Sequence, residues 1–587
     1  MSRFTRRDFL RLSLATVGTV AISTGLQGCL SSSSNSRADE QARQAAFLHG
    51  VASGDPLQDR IMIWTRVTPQ DTDQRDIEIS WEVASDSEFT DLLHDGSFTT
   101  GAERDFTLKV DVLNLLPGQS YYYRFHCAGA TSPTGSMRTL PAARVDQVRL
   151  AVLSCSNFPA GYFHVYAEAA KVEQLDAVIH LGDYIYEYGA GGYASEDAQA
   201  LGRQLPADNA GELLTLTDYR RRYALYRTDP DLQRLHASVP WILVWDDHEV
   251  ANDAWREGAE NHNEGDGDFA ERKLAALQAY FEWQPIRPAS EHDEETLYRR
   301  FDFADLVSLH MLDTRIIGRD EQLDFTNYLT AGGMDGTRLA ADLADTDRTM
   351  LGLQQLDWLQ TQLATSTATW QVLGQQVLMG RMLVPAEMLA AILATMTDPG
   401  STDITALLTE LVTLKVRQQN NDPTLTPQEL ARITTLIPYN LDAWDGYAYE
   451  CEVLLETCAN LNKNLVVLAG DTHNAWASDL KTVGGKQVGV EFATASVSSP
   501  GLEAYLDLPP EMIQPAEQAI TMLVDDLHYL NVNQRGFMVV TLTQEQARAD
   551  WHFVDTIKQT DYRMDTSRSH SLQTLPGAGQ RHLQALR

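Results

Sequence analysis

Apolar positions follow two different rhythms along the chain. From about Phe47 to Pro141 short runs alternate apolar and polar residues in strand fashion: RIMIWTRV, DIEISWEVA, DFTLKVDVL and SYYYRFHCAG. Turn residues separate them, and the spacing predicts a β-sandwich over residues 46–141. From Val148 continuous apolar runs alternate with amphipathic stretches, the pattern of a layered α/β fold over residues 148–567. The runs are VRLAVL (148–153), AVIHL (177–181), WILVW (241–245), LVSLHML (306–312), WQVLG (370–374), LVVLAG (465–470) and VGVEFA (488–493). RGFMVVTL and ARADWHFV read as a closing hairpin, and DFAERKLAALQAYFEW and LQQLDWLQTQLA read as helices. Residues 385–435 predict a helical insertion broken at Asp398-Pro399-Gly400, and residues 568–587 a polar tail.

The first 45 residues read as an address and a tether. Arg6-Arg7, followed by Phe9-Leu10 and an apolar stretch too short to span a bilayer, resembles a twin-arginine export signal. Leu26-Gln27-Gly28-Cys29 resembles a lipobox, which makes Cys29 the candidate for lipidation, and the SSSSNS run suits a flexible tether. An ordinary signal peptide with a chance cysteine is the alternative. The expected location is periplasmic or cell-surface, with membrane contact only through the N-terminal lipid anchor. Within the β region, Leu116-Pro117-Gly118-Gln119-Ser120-Tyr121 resembles the turn and tyrosine-bearing strand of fibronectin type III domains. Nothing in it carries chemistry.

A formal net charge of -35 repels nucleic acid at long range and argues against a nucleic-acid-binding surface. It would repel phosphate esters as well, unless bound cations reverse the field locally. Five cysteines are too few for a disulfide framework. Cys451 and Cys458 fall in one predicted helix, where seven residues rise about 10.5 Å, beyond the roughly 7 Å a bridge tolerates.

Potential metal ligands cluster immediately after the apolar runs. VRLAVL is followed by Ser154-Cys155-Ser156-Asn157, AVIHL by Gly182-Asp183-Tyr184-Ile185-Tyr186, WILVW by Asp246-Asp247-His248-Glu249, and LVVLAG by Asp471-Thr472-His473-Asn474. The fourth run ends in Asp313-Thr314-Arg315. The carboxyl ends of parallel strands line one crevice, so these distant segments converge on it. Singly, each has a plainer reading: Asp after a strand is often a helix N-cap, and a buried Cys usually only packs. His180 and His310, inside strands, read as satisfied core residues. Recurrence at one strand end, with complementary ligand types, favours metal binding. Thiolate, phenolate and imidazole suit trivalent iron, and carboxylates suit calcium. Asp183 is the candidate bridge, with Tyr186 three residues on able to return to the same ion.

SCSNFPAGYF, HLGDYIYEYG, WDDHE, LDTR, WDGY (444–447) and GDTHN resemble the motif series of PhoD-like alkaline phosphatases, a branch of the metallophosphoesterases. The resemblance implies a four-layer αββα core carrying iron (Fe3+) and calcium (Ca2+), preceded by the small fibronectin-III-like β-sandwich. It implies hydrolysis of phosphate monoesters, diesters or both, with inorganic phosphate as product. Carried over, Cys155, Asp183, Tyr186 and His473 would bind iron, and Asp247 and Asp471 would help hold calcium. His248 becomes the candidate for contacting phosphate or protonating the leaving oxygen. Arg315 is expected either to clasp phosphate or to form a structural ion pair with Asp313. Asn157 and Asn252 are candidates for the outer shell. Some relatives carry a basic residue where this chain has Ile185, which bears on the phosphate cradle. Phospholipid head-group hydrolysis of the phospholipase D kind, and a surface lipoprotein with a relic catalytic domain, are the competing readings.

Overall fold

Each apolar run of the α/β region forms a strand, because β-branched and aromatic residues fit a pleated surface buried on both faces. The structure, a computed structural model, describes residues 44–70, 75–290, 295–330, 333–397, 403–506 and 508–586. The export signal and Cys29 lie outside the described residues. Gln147–Leu153, Ala177–His180 and Trp241–Leu243 pair in parallel at the centre of a ten-stranded sheet. Val307–Met311, Trp370–Gly374, Leu465–Ala469 and Gln487–Ala493 pair in parallel within a seven-stranded sheet. Arg535–Thr543 and Ala547–Val554 form the expected antiparallel hairpin, which joins Gln147–Leu153.

Period-two alternation decides which core each residue enters. Val466 and Leu468 point into the core between the sheets, beside Leu150, Val152 and Ile179. Val467 and Ala469 face the helices on the other side of the seven-stranded sheet. Burying each such Val, Leu or Ile contributes about 1.5–3 kcal/mol. Trp370 Nε1 donates to Thr543 O at 2.6 Å and Trp551 Nε1 to Ala493 O at 2.9 Å, tying the two sheets together. Helices Leu216–Tyr226, Pro230–Ser238 and Phe269–Trp283 pack on the ten-stranded sheet. Gly352–Thr365, Ala448–Asn460 and Pro510–Leu523 cover the seven-stranded one. The result is a four-layer αββα arrangement. Cys451 and Cys458 are buried free thiols on the helix Ala448–Asn460.

The N-terminal β region shares its second sheet with the α/β region. Ile77–Ala84, Leu92–Thr100, Ser120–Cys127, Ala130–Thr131 and Gly135–Arg138 form a five-stranded sheet. The facing strands, Val51–Gly54, Arg60–Arg66 and Thr107–Leu113, extend the ten-stranded sheet through pairing of Gly54 with Trp241. Arg287 clamps the junction, donating to both Asp111 carboxylate oxygens at 2.9 and 2.7 Å. The Tyr121 hydroxyl accepts from Leu116 N at 2.8 Å, a tyrosine corner of the kind expected there.

Residues 568–587, expected as a polar tail, contain two short strands among the described residues. His570–Thr574 pairs with Ala547–Val554, and Gln584–Ala585 pairs with His570–Thr574. Leu572 and Leu583 reach the main core, enough apolar burial to hold a segment whose other positions are polar. The insertion comprises helices Ala386–Thr397, Ile404–Gln419 and Pro427–Thr434, closed by pairing of Leu383–Pro385 with Leu436–Pro438. Among the described residues, no helix is long and apolar enough to cross a membrane.

Candidate metal centre

Strand ends from both sheets deliver the motif residues to one place. Cys155 follows Gln147–Leu153, Asp183 follows Ala177–His180, and Asp246 to Glu249 follow Trp241–Leu243 in the ten-stranded sheet. Asp471 and His473 follow Leu465–Ala469 in the other. Cys155, Asp183, Asp471 and His473 all have positive φ, between 54° and 62°. Each such non-glycine residue costs about 1–2 kcal/mol, so the centre is built against local backbone preference and held by surrounding packing. Gly182, at φ 101°, has no room for a Cβ: one would lie 2.4 Å from both Asp246 Cβ and Asp246 N.

Three groups of side chains bring ligand atoms within 4.8 Å of one another: Cys155, Asp183 and His473; Asp183, Asp247 and His248; and Asp246, Asp247 and Asp471. Asp183 and Asp247 each belong to two groups, so the three merge into one centre. Tyr186 joins the first, its hydroxyl donating to Asp183 Oδ2 at 2.9 Å and lying 3.1 Å from His473 Nε2. His473 Nδ1 donates to Pro500 O at 2.7 Å, which leaves the lone pair on Nε2, facing Tyr186. Ser499 Oγ donates to the Tyr186 oxygen at 2.6 Å.

The residues fit cations. Asp183 Oδ1, Asp246 Oδ2 and Asp247 Oδ1 are buried and have no hydrogen-bond partner, an arrangement costly for carboxylates unless positive charge faces them. Burial, then the Asp183 carboxylate, pushes the Cys155 thiol and the Tyr186 phenol well above their ordinary values. Burial also raises Asp246 and Asp471, although Arg315 pulls both down. Thiolate and phenolate ligands therefore require the ion itself for their deprotonation.

Arg315 corrects an expectation. Its guanidinium is fully buried and donates to Asp246 Oδ1 at 2.5 Å, Asp442 Oδ1 at 2.8 Å and Asp471 Oδ1 at 2.8 Å. All three guanidinium nitrogens thus face carboxylates. The guanidinium does not pair with Asp313, whose Oδ1 instead accepts the backbone N–H groups of Arg315 and Ile316 at 2.9 and 2.8 Å. Arg319 adds a second guanidinium on Asp442.

Several important residues carry no strong local signal. Glu187, fully buried beside Tyr186, accepts from His248 Nδ1 at 2.7 Å, Asn252 N at 2.8 Å and Asn261 Nδ2 at 2.8 Å. Burial opposes charge on His248, but Asp247, Glu187 and Asp183 overcome it and push its pKa well above the ordinary value. The His248 ring lies 4.2 Å from that of Tyr186, tilted by 32°. Glu249 accepts from Asp183 N at 3.0 Å, Tyr184 N at 2.5 Å and Asp246 N at 2.7 Å, binding two motif loops together. Asp442 and Tyr193 complete the surroundings; the Tyr193 hydroxyl lies 3.1 Å from His473 Nδ1. Asn157 Nδ2 donates to Tyr193 O at 3.3 Å, and Asn252 Nδ2 to Glu260 at 3.2 Å. His180 and His310 are buried in strands, bonded to the Tyr166 hydroxyl at 3.0 Å and Gln371 Oε1 at 3.1 Å.

Comparison with known proteins shows the family. The PhoD-like phosphatase family model matches residues 150–551, and the PhoD-like phosphatase N-terminal domain model matches residues 31–141. Alkaline phosphatase D of Bacillus subtilis (strain 168) is 32% identical over 538 residues, covering 89% of this chain and 80% of the relative. A solved structure of PhoD superposes with a TM-score of 0.72 at 29% identity, covering 94% of each chain. The chain therefore belongs to the PhoD-like phosphatase family, and its chemistry is phosphoester hydrolysis.

Proposed function

We propose that the protein is an exported, metal-dependent alkaline phosphatase and phosphodiesterase, with Cys155, Asp183, Tyr186 and His473 holding ferric iron, and Asp247 and Asp471 helping to hold calcium. The observation that carries this is the membership of Asp183 in two ligand groups, one with Cys155 and His473 and one with Asp247 and His248. One carboxylate shared between two sites is what a bridged pair of cations requires. Asp246 extends the oxygen-rich side. When bound, such ions would lower the pKa of an attacking water and draw charge from the phosphoryl oxygens.

The chain's own residues supply the rest. His248, with Nδ1 engaged by Glu187, presents Nε2 as the proton donor to the leaving oxygen. Glu187 fixes the ring plane and the tautomer. Arg315 offsets Asp246, Asp442 and Asp471, and so limits repulsion between carboxylates that must stay within ligand distance. Twin-arginine export and lipidation at Cys29 rest on the sequence before residue 44.

Elemental analysis coupled to turnover of p-nitrophenyl phosphate and its bis ester tests the reading. The purified protein should contain iron and calcium and be coloured by tyrosinate–iron charge transfer. Cys155→Ala should lose iron and activity while keeping the far-UV circular dichroism of the parent. Full turnover by that variant, or a colourless and metal-free active enzyme, would sink the assignment.

A further inference from the structure

A cavity of about 630 Å³ opens beside the metal centre, walled in part by the helix Ala386–Thr397 of the insertion. It adjoins the centre at three points, one hydrogen bond away at Asp253 and two at Asp442 and Asn252. Asp442 shares Arg315 with Asp471, Asp253 N donates to Asp247 Oδ2 at 2.6 Å, and Asn252 N shares Glu187 with His248.

The lining has a definite chemistry. Leu323, Phe325 and Tyr505 give it an apolar surface over the buried side chains of Leu389 and Ile392. Five carboxylates line it, and no Lys or Arg does. Asp442 is tied to Arg315 and Arg319. Among the described residues Glu260, Glu321 and Asp324 form no ion pair, and all three are exposed, whereas Asp253 lies in the field of Arg315 and Arg319. An apolar pocket rimmed by uncompensated negative charge favours cationic guests and rejects anionic ones.

We propose that this cavity receives the alcohol half of the ester and selects an apolar-bodied alcohol bearing an ammonium group, against alcohols that carry a carboxylate or second phosphate. The inference rests on the hydrolase reading of the adjoining centre and adds the substrate class. The insertion thereby acquires a role, as a wall of the leaving-group pocket.

The test compares three aryl phosphates, para-substituted with trimethylammoniomethyl, methyl or carboxymethyl, by phosphate release from the metal-loaded protein at low salt. The ammonium ester should exceed the carboxylate ester in kcat/KM by about tenfold, with the neutral ester between them, and added salt should compress the ratio. The double variant Glu321→Gln/Asp324→Asn should lower the ratio at least about threefold, because it removes charge at the rim. Glu545→Gln/Asp561→Asn, which changes net charge equally at exposed positions outside the cavity, should leave the ratio alone. Turnover with equal specificity for the three esters, or an equal response to both double variants, overturns the pocket assignment alone. Absence of turnover on all three overturns the hydrolase reading and the inference with it.

Discussion

The Glu187 carboxylate accepts a hydrogen bond from His248 Nδ1 at 2.7 Å, inside a pocket that excludes solvent from Glu187 altogether. Burial opposes ionisation of Glu187, but the neighbouring His248 and the hydrogen bonds from Asn261 and Asn252 hold its pKa below the ordinary carboxylate value. The pair therefore acts as a unit: a fixed anion sets one ring nitrogen as donor and frees the other for chemistry.

Glu187→Gln should lower kcat/KM roughly 10–100-fold, with the loss in kcat rather than KM, and leave iron content unchanged. Steady-state kinetics alongside metal analysis checks this. Unaltered kcat would show that His248 needs no such partner.

Arg315→Met should destabilise the fold by about 3–5 kcal/mol, because it leaves three buried carboxylates facing one another. Urea unfolding at a fixed calcium concentration measures the loss. If Arg315 clasped substrate instead, stability would hold and KM alone would rise.

Two glycines with similar backbone angles should respond differently to alanine. Gly182→Ala meets Asp246 at 2.4 Å and should cost about 3 kcal/mol or more, from overlap added to left-handed strain. Gly191, at φ 84°, has nothing within 4 Å of an added Cβ, so Gly191→Ala should cost only about 1–2 kcal/mol. Thermal unfolding of the two variants separates steric overlap from backbone strain.

Glu491 should make stability fall with rising pH. It is buried in the strand Gln487–Ala493, accepts from Met379 N at 2.6 Å and Gly380 N at 2.9 Å, and burial pushes its pKa up to about 7. The folded protein thus keeps a proton that the unfolded chain gives up near its ordinary pKa of 4.5. The stabilising contribution is complete below that ordinary value and fades as pH rises through about 7. Between pH 5 and 8 the parent should lose roughly 2–4 kcal/mol relative to Glu491→Gln, read from urea midpoints at each pH. Parallel pH profiles for parent and variant would contradict this. Asp445, buried nearby and raised to about 6, acts in the same direction in both proteins.

Local pattern alone determined the strands, the motif at the end of each, and the ligand types those motifs carry. Apolar runs such as Leu465–Ala469 and polar turns such as Asp471-Thr472-His473 are written within a few adjacent residues, so the chain declares them without reference to partners. Two features went the other way. The segment from His570 reads as polar because four of the five residues His570–Thr574 are polar, yet its pairing with Ala547–Val554 and the burial of Leu572 make it a strand. Arg315 has a planar fork that suits phosphate as well as carboxylate, and only the approach of Asp246, Asp442 and Asp471, separated from it by 69, 127 and 156 residues, assigns it to carboxylates. Glu187 and Glu249 were illegible for a related reason. A glutamate that receives backbone N–H groups 65 or 66 residues away looks, in sequence, like any other acidic residue in a turn. Packing two sheets face to face supplies those long-range partners, and with them the roles that composition and spacing leave open.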